Sequence, residues 1–233
     1  MFYELDDEAR SRFKTPSEYF NLSMMTDRYK DEFKANASWF KLAFHARKEF
    51  PNEPYKTTGE DVIEKDFNDI KREIFRFAGE ECFSHSTTAH WGSANYESIN
   101  ALKKLGITSA AGNFELDANG KPFVAYYADA ETVVHIVNRN FWVDSSNDMF
   151  FARFASVLNL GSLEDAVSRV KDAVNDKHRG GFVSIVIHEQ HFYSDYIGYR
   201  PDFDQRVLES AKYLYEKGYV GTQIYEVLEA NQD

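Results

Sequence analysis

Apolar residues along this chain recur at two periods. From Glu60 to Ala78 the positions Ile63, Phe67, Ile70, Ile74 and Phe77 follow 4-3-4-3 spacing, which lines them on one helix face, and Gly79 stands where helices commonly end. Ser93 is placed to cap a second helix that carries Ile99, Leu102 and Leu105 and closes at Gly106. Ser162-Leu163-Glu164-Asp165 has capping-box spacing ahead of Val167, Val170 and Val174. Pro201 suits the first turn of a helix with Phe203, Val207, Ala211 and Leu214, stopped by Gly218. A short last helix is expected from Thr222 to Glu229.

Between these helices, short strand-like runs are legible at Phe40–His45, Ser84–His90, Ile107–Ala111, Phe123–Tyr127, Val133–Val137 and Phe182–His188. The last run is nearly all apolar up to Ile187 and fits a strand buried on both faces, as parallel strands under helices are. Strands alternating with amphipathic helices predict an α/β architecture with right-handed crossovers. Residues 113–160 differ. Asp117-Ala118-Asn119-Gly120 is a turn signal between two short strand candidates, so this stretch reads as a β-hairpin insertion. No repeat divides the chain, and residues 1–233 read as a single domain.

Composition narrows the function classes. Lys plus Arg number 27 against 38 for Asp plus Glu, a net charge of −11, which argues against a nucleic-acid binder. A single cysteine, Cys82, excludes a disulfide framework and a cysteine-built zinc cluster. No apolar run is long enough to span a bilayer, and Met1-Phe2-Tyr3-Glu4 lacks the regions of a signal peptide. The expectation is a cytoplasmic protein that meets neither membrane nor nucleic acid; its oligomeric state is not legible.

The candidate chemistry lies at strand ends. Three predicted strands run into a histidine, namely His45, His90 and His188. In α/β sheets and barrels, ligands bind outside the C-terminal strand ends, and imidazole there serves as a metal ligand or as an acid or base near neutral pH. Glu49 and Glu189 stand close by in sequence as ligand, base or orienter of an imidazole. Trp91 and Tyr193 are aromatic neighbours suited to stacking on sugar rings. His135 falls inside a predicted hairpin strand, while His178 and His191 lack a strand-end setting.

These residues carry a resemblance. The stretches Trp39–Pro51, His90-Trp91-Gly92 with Leu105-Gly106-Ile107, and Ile187–Tyr193 resemble a bacterial group related to the polysaccharide deacetylases, the chitooligosaccharide-deacetylase-like proteins. The resemblance covers most of residues 1–225 and implies a distorted (β/α)7 barrel. Such deacetylases hold a divalent metal on one aspartate and two histidines and direct its water at an acetyl group. Position by position, His45 matches the first histidine of an H-x-x-x-H ligand motif, whose second histidine is replaced by Glu49. His90 stands where the family has an arginine, and His188 matches the histidine that protonates the leaving group.

The early motif with paired aspartates has no match. Phe2-Tyr3-Glu4 reads as the end of the strand that should follow it, and Asp6-Asp7 is a pair in letters only, so the barrel is expected to be incomplete at its N-terminus. The resemblance thus implies a metal-dependent carbohydrate deacetylase, with zinc or another divalent ion on His45, Glu49 and His90. His188 and Glu189 are then catalytic, and Trp91 and Tyr193 contact a carbohydrate substrate. Two alternatives stay open: a degenerate barrel that binds carbohydrate without cleaving it, and an acid/base enzyme of altered chemistry using His188 and Glu189.

Overall fold

The computed structural model describes residues 1–15 and 17–229. Its strands in chain order are β1 (Glu4–Leu5), β2 (Phe20–Asn21), β3 (Ser86–Thr87), β4 (Ser109–Gly112), β5 (Glu115–Leu116), β6 (Pro122–Phe123), β7 (Phe141–Asp144), β8 (Met149–Val157) and β9 (Ser184–Val186). Its helices are α1 (Asp7–Arg10), α2 (Lys30–Ala35), α3 (Glu60–Phe77), α4 (Tyr96–Lys104), α5 (Ala130–Arg139), α6 (Leu163–Asn175), α7 (Phe203–Glu216) and α8 (Glu226–Glu229).

The principal sheet has the order β3-β4-β8-β7, with β9 also on β8. Strands β3, β4, β8 and β9 are parallel, and β7 alone is antiparallel. Single parallel bridges extend this sheet past β3, from Phe83 to Leu42 and from Ala46 to Phe2. The result is a mixed α/β fold whose parallel sheet curls into an open half-barrel. Among the described residues, no helix is long and apolar enough to cross a membrane.

Local signals placed the first helices well. In α3 the residues Ile63, Phe67, Ile70, Ile74 and Phe77 are all fully buried, and Gly79 follows at φ +103, a left-handed turn that glycine adopts without strain. Helix α6 carries the reciprocal Ser162–Asp165 capping box and buries Val167 and Val170. Helix α4 starts later than the Ser93 cap predicted. Asn95 accepts from the Ser98 amide instead, and the Ser93 hydroxyl donates to Glu53. The turn at Asp117–Gly120 joins β5 to β6 as expected, with the Asp117 carboxylate accepting from the amides of Asn119 and Lys121.

Three expectations are corrected. Val133–Val137 is helical, inside α5: the Asp129 side chain caps it, and Val133 and Ile136 are buried at i, i+3 spacing while His135 faces outward. Residues 113–160 are not one hairpin insertion, because they include β8, the strand that joins β4, β7 and β9. Finally, the run Phe182–Ile187 is not buried on both faces. Residues 182–186 are half-buried and Ile187 is 40% exposed, since β9 pairs only with β8 and α7 covers it incompletely. Phe203 of α7 is buried, but Ala211 and Leu214 flank an open cavity of about 700 Å³ between β9 and the segment around Ile224 and Val227.

Candidate functional site

His45, His90 and His188 each follow the C-terminal end of a parallel segment of the half-barrel. The segment leading to His45 is fixed along the side that faces residues 82–87. The Leu42 amide donates to Cys82 O and the Ser84 amide donates to Leu42 O, while Thr87 Oγ1 donates to Phe44 O. Just beyond, the Arg47 amide donates to the buried Tyr55 hydroxyl, which donates in turn to Asp66 of α3. Arg47 Nη1 lies 2.8 Å from Asp69 Oδ2. The core helix thereby sets the direction in which His45 leaves the sheet.

His45 is half-buried and His90 is 5% exposed. His45 Nδ1 donates to Thr88 O, and His90 Nε2 donates to Glu49 O at 2.8 Å. Both partners are backbone carbonyls, which only accept, so both outer ring nitrogens must carry the proton. The inner nitrogens, His45 Nε2 and His90 Nδ1, then face each other at 3.0 Å with lone pairs. Three contacts each need a hydrogen, and two neutral imidazoles supply two. The edge of the Phe2 ring packs against both histidines, with centroids 4.7 and 5.1 Å away.

Burial pushes the His45 pKa well below the usual imidazole range, and the Met1 amino group, His90 and His188 add to this against the Thr88 carbonyl. His90 is lowered by burial and by His188, with the Glu49 carbonyl opposing. His90 and His188 thus lie within electrostatic reach of His45, and His188 within reach of His90. The Glu49 carboxyl is raised by burial; Arg12 opposes, and Asp6 and Glu189 add to it.

His188 is only partly shielded from solvent, and its Nδ1 donates to Asn159 Oδ1 at 2.6 Å; among the described residues its Nε2 makes no hydrogen bond. Its pKa is lowered by burial of the ring and by His191, with Glu189 opposing. His191, 6.4 Å away between centroids, is likewise oriented by a carbonyl, its Nδ1 donating to Gly198 O at 2.6 Å. Glu189 is exposed, and Trp91 and Tyr193 are 46% and 57% exposed. Trp91 adopts a left-handed φ of 64 beside Gly92 at φ +60. A Cβ on Gly92 would lie 3.2 Å from Gly112 Cα, so this turn touches the end of β4 and requires glycine.

Two residues beside His188, Asn159 which orients it and His191 which neighbours it, were not among the site residues expected from sequence. Asn159 stands just past β8, a strand the pattern did not reveal, and His191 has no apolar run leading into it. Glu49 reaches the site through its backbone carbonyl. Among the described residues, no three His, Cys, Asp or Glu side chains are grouped to hold a metal ion. The donor chemistry fits an ion at two points, the unprotonated inner nitrogens of His45 and His90, whose outer N–H groups are held by carbonyls as those of metal-bound histidines are. The chain matches no protein-family model, no curated protein and no solved structure.

Proposed function

We propose that this protein is a hydrolase of the polysaccharide-deacetylase type, removing acetyl groups from a carbohydrate, on a half-barrel that corresponds to part of a distorted (β/α)7 barrel. One observation carries the reading: three histidines from distant parts of the chain converge at the same strand ends, each with its outer nitrogen tied and its other nitrogen free of a backbone partner. His188 Nε2 is the group that moves a proton. Neutral near pH 7, it takes a proton from the attacking water, and it returns that proton to the sugar oxygen or nitrogen as the acyl carbon leaves as acetate. Glu189 favours the transient imidazolium. Trp91 and Tyr193 offer faces for sugar rings.

His45 and His90 would hold a divalent ion, zinc being well suited to imidazole. Such an ion, when bound, polarises the acyl carbonyl. Equilibrium dialysis should find about one Zn²⁺ per chain, lost in His45→Ala. His188→Ala should keep the ion and lose turnover of N- or O-acetylated oligosaccharides. Wild-type protein that turns over neither class, with or without added divalent ions, overturns the hydrolase reading. The incomplete ligand grouping favours one alternative, a sugar-binding barrel, which sugar affinity without turnover would select.

A further inference from the structure

α5, β5 and β8 border a second, open cavity of about 370 Å³. Small-ligand sites occupy about 300–1,000 Å³, mostly apolar with a few polar groups, and this cavity falls at the small end. It is lined by Phe114, Leu116 and the α5 valines Val133, Val134 and Val137, with Glu115, Asn138 and Arg153 of β8 as its polar groups. Arg153 Nε donates to Asn113 O at 3.1 Å. Among the described residues its Nη1 and Nη2 make neither a hydrogen bond nor an ion pair. Burial lowers its pKa and Arg179 adds to this, while the Glu115 carboxylate opposes from beyond ion-pair distance. Arg179 has its own partner, Asp176, at 3.2 Å. Neither terminal nitrogen is buried from solvent, so the fork is open to an incoming anion.

We propose that this cavity binds a monocarboxylate with a short apolar tail, its two oxygens on the free Nη1 and Nη2 fork of Arg153 and its tail against the α5 valines. One guanidinium matches one carboxylate bidentately. Glu115 lines the same cavity and repels any anion, but a dianion such as phosphate more strongly than a monocarboxylate. The apolar part of the lining favours an apolar tail over a sugar. The site is separate from the histidines and stands whether or not the chain is a hydrolase.

Calorimetric titration of the whole protein with octanoate, with octanol and inorganic phosphate as comparators, tests this. Octanoate should bind saturably, one per chain, with octanol and phosphate at least about tenfold weaker. Arg153→Met should weaken octanoate by about tenfold or more with circular dichroism and melting unchanged, and Arg153→Lys should keep part of the affinity as a point charge. Should Arg153→Met not fold, Val134→Asp decides, because position 134 is 49% exposed and a carboxylate there would repel the ligand. The proposal falls if folded wild type shows no saturable octanoate binding, or binds octanol or phosphate equally well. It falls equally if the Met variant, or Val134→Asp in its place, binds octanoate as wild type does.

Discussion

One side-chain amide decides what His188 can do. By accepting from Nδ1, Asn159 fixes the tautomer with Nε2 bare, and partial burial keeps the ring neutral below the ordinary imidazole pKa of about 6.5. If Nε2 takes the proton, kcat/KM should fall as pH drops through a pKa below that value. Asn159→Asp puts a negative charge beside Nδ1, favours the imidazolium, and should move this acidic limb to higher pH. Asn159→Leu removes the acceptor and should cost about 10- to 100-fold in kcat, with KM for the oligosaccharide little changed. A pH profile identical in wild type and Asn159→Asp would show that His188 does not carry the proton. The same scale explains the gap in what was legible. His45 and His188 announce themselves through the apolar runs before them and His90 through a short β-branched run, but the carbonyls of Thr88 and Glu49 have no sequence signature, and Asn159 becomes meaningful only once β8 is in register.

At the scale of elements, β8 is the strand on which the sheet depends. Phe151 is fully buried, stacked on Trp142 with centroids 5.0 Å apart, and it meets Phe114 and Tyr127 edge-on. Phe151→Ala should cost about 3–5 kcal/mol in urea unfolding, whereas Ile187→Ala, at a partly exposed edge, should cost under about 1 kcal/mol. The reverse order of losses would put β9, not β8, at the centre. The pattern revealed α3 and α6 because period and caps are local properties. It concealed β8 because Met149, Phe150, Phe151 and Ala152 are all buried, leaving no alternation, and the turn from Asp144 to Met149 has neither Gly nor Pro. A short apolar run such as Val133–Val137 fits a strand or a helix equally until a cap is recognised. The exposure of β9 depends on which neighbours it lacks, and its own residues do not encode that.

Over the whole molecule, the half-barrel is spanned by contacts between its first residues and the loop after His188. Phe13 forms an antiparallel bridge with Tyr196, the Lys14 amide donates to Asp195 O, and the Ile197 amide donates to Arg12 O. This clasp is thin, and exposed apolar side chains surround it, namely Phe192, Tyr193 and Ile197. It nevertheless links the stretch carrying Arg12, which acts on Glu49, to the stretch carrying His188 and Glu189. Segments with few buried contacts and exposed hydrogen bonds open at a fraction of the global unfolding free energy. Native-state hydrogen exchange should therefore show the Lys14 and Ile197 amides exchanging together, much faster than those of β4 and β8. If the clasp borders the substrate mouth, an acetylated oligosaccharide should slow both amides and leave the sheet unchanged. Protection at Lys14 and Ile197 equal to that of Phe151 would make the clasp part of the core. A saccharide effect confined to β4 and β8 would move the mouth away from His188.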